Sequence, residues 1–273
     1  MSNESLMDST ATITSSSSCG SDIQVSELIE AKSADRNRLF SVIQSNREDL
    51  LLAALRNPSL DHQHLLMILK QCKSVAVIAA IYACKRHLET YAVKYALIAH
   101  PDTPNYIAQA LLPLIFIFDL LKLCLMPGLS PDIHLAAERK IVQQIPTQPL
   151  GNKLTLARRG TASVLDSLLR DGEKSVIEIC LENPHLKEGS LHQFLASSHA
   201  TAENVSIVAR NGRWKNRPNI RLAILKNPRT PLIWFTIFLP ALPAATLRDL
   251  LISSRLTIAQ KELVLQAGQQ SHL

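Results

Sequence analysis

Set against itself at an offset of 127 residues, the sequence repeats. Arg86 falls on Arg213, Ala96 on Ala223, Pro101 on Pro228, Thr103-Pro104 on Thr230-Pro231 and Leu112-Pro113 on Leu239-Pro240. Leu120, Leu123 and Leu129 fall on Leu247, Leu250 and Leu256. Upstream the offset is 126, which puts Leu39 on Leu165, Leu55 on Leu181, Asn57-Pro58 on Asn183-Pro184, and Leu60, Leu65 and Leu69 on Leu186, Leu191 and Leu195. One extra residue near positions 196–204 reconciles the two offsets. A chain of this kind is expected to fold as two versions of one unit, so the punctuation of that unit constrains the architecture.

The punctuation is helical. From about Val25 onward apolar residues recur at spacings of three and four, as in Leu39/Val42/Ile43 and Leu50/Leu51/Ala54/Leu55, and no stretch alternates with period two. Eight glycines in 273 residues also disfavour a chain of many tight β-turns. Asn57-Pro58, His100-Pro101, Asn183-Pro184 and Asn227-Pro228 read as helix stops, with asparagine expected in the left-handed conformation and proline unable to continue the helix. Thr103-Pro104, Ser130-Pro131 and Thr230-Pro231 read as starts, with the hydroxyl expected to cap free amides and proline expected at the first helical position. Pro58 to Pro101 spans 43 residues and Pro184 to Pro228 spans 44, while Pro101 to Pro131 and Pro228 to its counterpart Ile258 each span 30.

Helix pairs at that period predict an all-α fold: an α-solenoid of stacked antiparallel helix pairs, internally duplicated, curved and right-handed, with about 14 to 17 helices of about 8–15 residues. The expected parts are a disordered Ser/Thr-rich tail at 1–23, a first half at 24–145 and a second half at 150–270, joined near Gln148, Pro149 and Gly151 as one continuous solenoid.

These residues resemble the HEAT-like and leucine-rich-repeat-variant families of bacterial helical repeats. The resemblance rests on L-x-N-P at 55–58, 181–184 and 225–228, on T-P at 103–104 and 230–231, and on Leu156-Ala157-Arg158-Arg159-Gly160 followed by V-x-x-x-L-L-x-D spacing. It covers nearly all of residues 50–268 and implies a protein that binds partners along a curved surface. No catalytic motif of such families is matched, so the resemblance carries over no catalytic role.

Other classes are disfavoured residue by residue. Residues 1–21 lack the basic and apolar regions of an export signal. Thr230–Leu247 is 18 residues without a charge, but Pro231, Pro240 and Pro243 interrupt it. Ile107–Met126 carries Gln109, Pro113, Asp119 and Lys122, so both stretches read as buried repeat helices and no integral membrane span is expected. The five cysteines, Cys19, Cys72, Cys84, Cys124 and Cys180, form no C-x-x-C pair and suit a reducing, cytoplasmic setting. His62 and His64 lie two apart and point to different helix faces. His185 and His192 could share a face, but neither a cysteine nor a carboxylate completes a metal site. Asp61 reads as a helix N-cap or a first-turn acid, Asp119 and Lys122 as a surface ion pair, and Glu138 and Arg139 as solvated charges. Nucleophile-elbow, phosphate-loop, dinucleotide and zinc-protease motifs do not occur, so no enzyme activity and no cofactor are expected.

One asymmetry remains. Asn204 to Arg248 contains no Asp or Glu but eight basic residues: Arg210, Arg213, Lys215, Arg217, Arg221, Lys226, Arg229 and Arg248. Arg210, Arg213, Trp214, Lys215, Arg217 and Arg221 are therefore candidate residues for holding an anion or a partner. The competing reading makes them helix-end residues whose stems shield apolar surface, with Trp214 in the core and Arg213, the counterpart of Arg86, belonging to the repeat. The expected function is a non-enzymatic scaffold binding a protein along a concave face. The alternative is binding of nucleic acid or another polyanion through the basic cluster at 210–229.

Overall fold

The computed structural model describes residues 18–270, which are helical with no strands. Residues 1–17 of the expected tail lie outside the described residues. The remainder of that segment is not tail, because the first helix already begins at Ser18.

The described chain divides into two compact units between Leu111 and Leu112. The first unit holds α1 (Ser18–Ser33), α2 (Arg36–Gln44), α3 (Glu48–Ala54), α4 (His62–Gln71), α5 (Val75–Ala83), α6 (Tyr91–Ala99) and α7 (Asn105–Leu111). The second holds α8 (Ile117–Leu125), α9 (Pro131–Gln144), α10 (Leu150–Arg159), α11 (Ala162–Asp171), α12 (Lys174–Glu182), α13 (Glu188–Ala196), α14 (Ala202–Arg210), α15 (Pro218–Lys226), α16 (Leu232–Phe238), α17 (Ala244–Ile252) and α18 (Ile258–Gln270). That is 18 α-helices among the described residues, one more than the upper end of the range the spacing predicts.

Short helices cannot stand alone in water, so packing carries them. Within the first unit α2 packs on α4 and α4 on α6, while α1 packs on α3 and α3 on α5. Within the second, α10 packs on α12 and α12 on α14, while α9, α11, α13 and α15 follow one another in the same way. Each such helix buries one apolar stripe. On α11 the stripe is Val164, Leu165, Leu168 and Leu169, all fully buried. The ends are closed by local chemistry: Asp61 accepts from the amides of Gln63 and His64, Ser130 caps Ile133 with Pro131 next in line, and Gly172 ends α11 with φ +81°.

The Asn-Pro turns work differently from the expectation. Asn183 and Asn227 sit at φ −70° and −83° with extended ψ, not in the left-handed region. The residue is chosen for its side chain, which reaches back to the preceding helix of its row. Asn57 Nδ2 donates to the carbonyls of Ala31 and Ala34, Asn183 Nδ2 to Ala157, and Asn227 Nδ2 to Leu195. Each Oδ1 meanwhile accepts an amide two residues on, from Ser59, His185 and Arg229, all at 2.8 Å. His100 performs the same task with a ring, Nε2 to the Cys72 carbonyl at 2.8 Å and Nδ1 from the Asp102 amide at 3.1 Å.

Thr103 and Thr230 also depart from the expected role. Their hydroxyls do not cap the following helix. They donate backwards to the carbonyls of Leu97 and Ile224, tying off the helix just ended. Pro231 accordingly takes the cap position of α16 rather than its first helical residue. Of the three expected starts, Ser130-Pro131 alone keeps the cap-and-proline geometry.

Candidate partner-binding site

The basic run between α14 and α15 folds around Trp214. The tryptophan is buried (1% exposed), and its indole N–H donates to the Leu181 carbonyl at 2.9 Å. The guanidiniums of Arg213 and Arg217 lie over the ring, 4.7 and 4.9 Å from its centroid. Arg213 donates to the carbonyls of Asn183 and Leu181, bracing the preceding Asn-Pro turn, as its counterpart Arg86 does with the carbonyls of Pro58 and Leu60. Arg217 pairs with Glu188 at 2.6 Å. Arg221 donates to the Lys215 carbonyl and to Asn216, with its guanidinium 5.7 Å from the Phe238 ring.

Four of the six candidates are therefore occupied within the fold. Trp214 offers no face for a ligand to stack on, and Arg213, Arg217 and Arg221 are engaged with carbonyls, rings or Glu188. Arg210 and Lys215 stand exposed. The run holds no carboxylate of its own, and the one that neutralises Arg217, Glu188, comes from the start of α13.

The Arg217 guanidinium, followed by the Asn219 amide, holds the Glu188 carboxyl below the usual glutamate range. A carboxylate whose folded pKa is depressed stabilises above its unfolded pKa and loses that contribution as pH falls through the folded value. Urea midpoints should therefore place the wild type above Glu188→Gln at neutral pH, with the gap closing in acid below the ordinary glutamate range of about 4.3. A gap that stays constant or widens on acidification would contradict this assignment.

A groove of about 640 Å³ runs across α10, α12 and α14. Ile179 and Ile207 contribute apolar lining, and each is the sixth residue of its helix. The ninth residues of the three helices also line it: Arg158, Glu182 and Arg210, positive, negative, positive. Glu178 adds a second carboxylate, and Asn211 Nδ2 holds Glu182 Oε1 at 2.7 Å. Of these residues the sequence put forward Arg210 alone as a candidate for binding. The signal was present in the register, since the same helix position recurs with alternating charge.

The site holds little reactive chemistry. Cys180, beside Ile179, is buried, and burial pushes its thiol up to about 12, so it stays protonated at neutral pH. Among the described residues no three His, Cys, Asp or Glu side chains gather as a metal-binding group. No helix among them is long and apolar enough to cross a membrane. Comparison with protein families, with curated proteins and with solved structures finds no match.

Proposed function

We propose that the protein is a non-enzymatic, internally duplicated helical repeat of the solenoid type that binds a protein partner by holding an extended segment in the α10–α12–α14 groove. Packing on the second helix along, which runs from α1 to α6 in the first unit and from α8 to α15 in the second, supports the repeat reading, as do the recurring clamps on the Asn-Pro turns. The observation that carries the binding reading is the groove itself, with isoleucine lining and a mouth charged Arg158, Glu182, Arg210 in order.

Neighbouring packed helices lie about 8–10 Å apart, and an extended chain advances about 3.3 Å per residue. One helix spacing thus corresponds to about three residues of a bound strand. The preferred segment is acidic, basic, acidic at every third position, with an apolar side chain between to meet Ile179 and Ile207. Glu178 and Glu182 set the groove against phosphates, which disfavours a nucleic-acid occupant.

A random-peptide display selection is the test. Enriched peptides should carry acidic and basic residues three apart, and their binding should fall on Arg158→Glu with Arg210→Glu and on Ile179→Asp. Failure to enrich any peptide, or binding indifferent to these substitutions, would remove the proposal. Heparin capture that weakens steeply with salt and is lost on Lys215→Glu with Arg210→Glu would favour the polyanion alternative instead.

A further inference from the structure

Helix α11 packs on α13, and a cavity of about 190 Å³ is lined by Asp166 and Arg170 of the one and Ser190, Gln193 and Phe194 of the other, with Ser197 just beyond. At the sequence offset of 126, Asp166 and Ser190 fall on Phe40 and His64. The corresponding place between α2 and α4 therefore holds two rings, whose centroids are 4.2 Å apart. His64 is fully buried there, with Nε2 at 3.1 Å from the Arg36 carbonyl. Two rings in the first unit are thus two short polar side chains in the second, and one of them is charged.

The fold does not satisfy that charge. Oδ1 of Asp166 is buried without a hydrogen-bond partner, although Arg170 lines the same cavity one helical turn along. A buried carboxylate oxygen calls for a donor. The cavity has room for several waters at about 30 Å³ each, yet it falls short of the roughly 300–1,000 Å³ of drug-sized sites. Its two charges are opposite in sign and differently placed, Asp166 part-buried and Arg170 exposed. The Ser190 hydroxyl and the Gln193 amide add neutral donors and acceptors, whereas the Ser197 hydroxyl already donates to the Phe194 carbonyl. The buried Phe194 supplies apolar surface.

We propose that the cavity between α11 and α13 is a binding site for a small free α-amino acid. The ammonium is the donor that Asp166 lacks, the carboxylate pairs with the exposed Arg170, and a short side chain lies by Phe194. A metal ion fits less well, because the cavity offers it a single carboxylate with a guanidinium alongside. A phosphate ester is opposed by Asp166, and a simple amine leaves Arg170 facing a like charge. The cavity shares no lining residue with the α10–α12–α14 groove, so the two sites are independent.

The test is isothermal titration calorimetry of the full chain with L-serine and L-alanine. The controls are L-alaninamide, which lacks the carboxylate, and propionate, which lacks the ammonium. Each amino acid should bind saturably and at least about tenfold more tightly than either control. Asp166→Asn, which keeps the shape of the side chain, should abolish this binding. Arg170→Gln, at an exposed position, should weaken it at least about tenfold, with circular dichroism unchanged in both variants. Refilling the cavity by Asp166→Phe with Ser190→His, the pair present in the first unit, should abolish binding as well. If that double variant fails to fold, Asp166→Asn decides the matter alone. L-Serine should also raise the urea midpoint of the wild type and leave that of Asp166→Asn where it is. Saturable binding of neither amino acid, L-alaninamide binding as tightly as L-serine, or amino-acid binding unchanged in Asp166→Asn would overturn the proposal.

Discussion

Replacing Trp214 by alanine is expected to cost about 3–5 kcal/mol of unfolding free energy, the range for removing a large buried aromatic. The indole fills space between the end of α12 and the start of α15, and the two guanidiniums over it would lose the surface they lie on. Trp214→Phe separates packing from polarity. It keeps much of the volume and gives up the bond to Leu181, whose carbonyl still has the Arg213 guanidinium at 3.4 Å, so its cost should be about 1–2 kcal/mol. Urea titrations followed by circular dichroism measure both. An alanine variant within about 1 kcal/mol of wild type would mean that Trp214 is not the keystone its burial indicates.

The second large effect is expected at Asn227, and it separates two explanations of the turn. If asparagine were there to adopt a left-handed backbone, glycine would be harmless or better. The residue is instead at φ −83°, buried, with its amide donating to Leu195 at 2.6 Å and its oxygen accepting from Arg229. Asn227→Ala should cost about 2–3 kcal/mol for two lost bonds and an orphaned buried carbonyl. Asn227→Gly should cost more still, since it loses the same bonds and loosens the unfolded chain. Asn227→Asp keeps the turn but sets a carboxylate against the Leu195 carbonyl, so it should be at least as damaging as alanine. The same order is expected at Asn183, which bonds Ala157 in the same manner. A glycine variant as stable as wild type would return the explanation to backbone geometry.

Much of the helical architecture was legible in the sequence because its causes are local. Leu39 and Ile43, one turn apart, both lie in the core, and the apolar set of α11 follows the same spacing. Asp61 caps α4 and Asp119 meets Lys122 at 2.7 Å, both within one helical turn. The candidate site was less legible. Nothing near Arg213 in sequence reveals that its guanidinium serves a turn 30 residues earlier.

By itself, then, the sequence determined where helices run and where they break, because side-chain spacing, proline and short capping residues act within a turn or two of chain. Tertiary structure decided what the break residues are for. The asparagines at 57, 183 and 227 look like conformational choices until the carbonyls 23 to 32 residues away come into reach. It also decided the fate of the charges. Eight basic residues without a local acid look like a binding patch, yet Glu188 from another helix neutralises one, and backbone carbonyls take up others, among them Arg213, Arg221 and Arg229. Electrostatic and hydrogen-bond partners are set by distance in space, and in short helices packed on the second helix along, that distance bears no simple relation to separation along the chain.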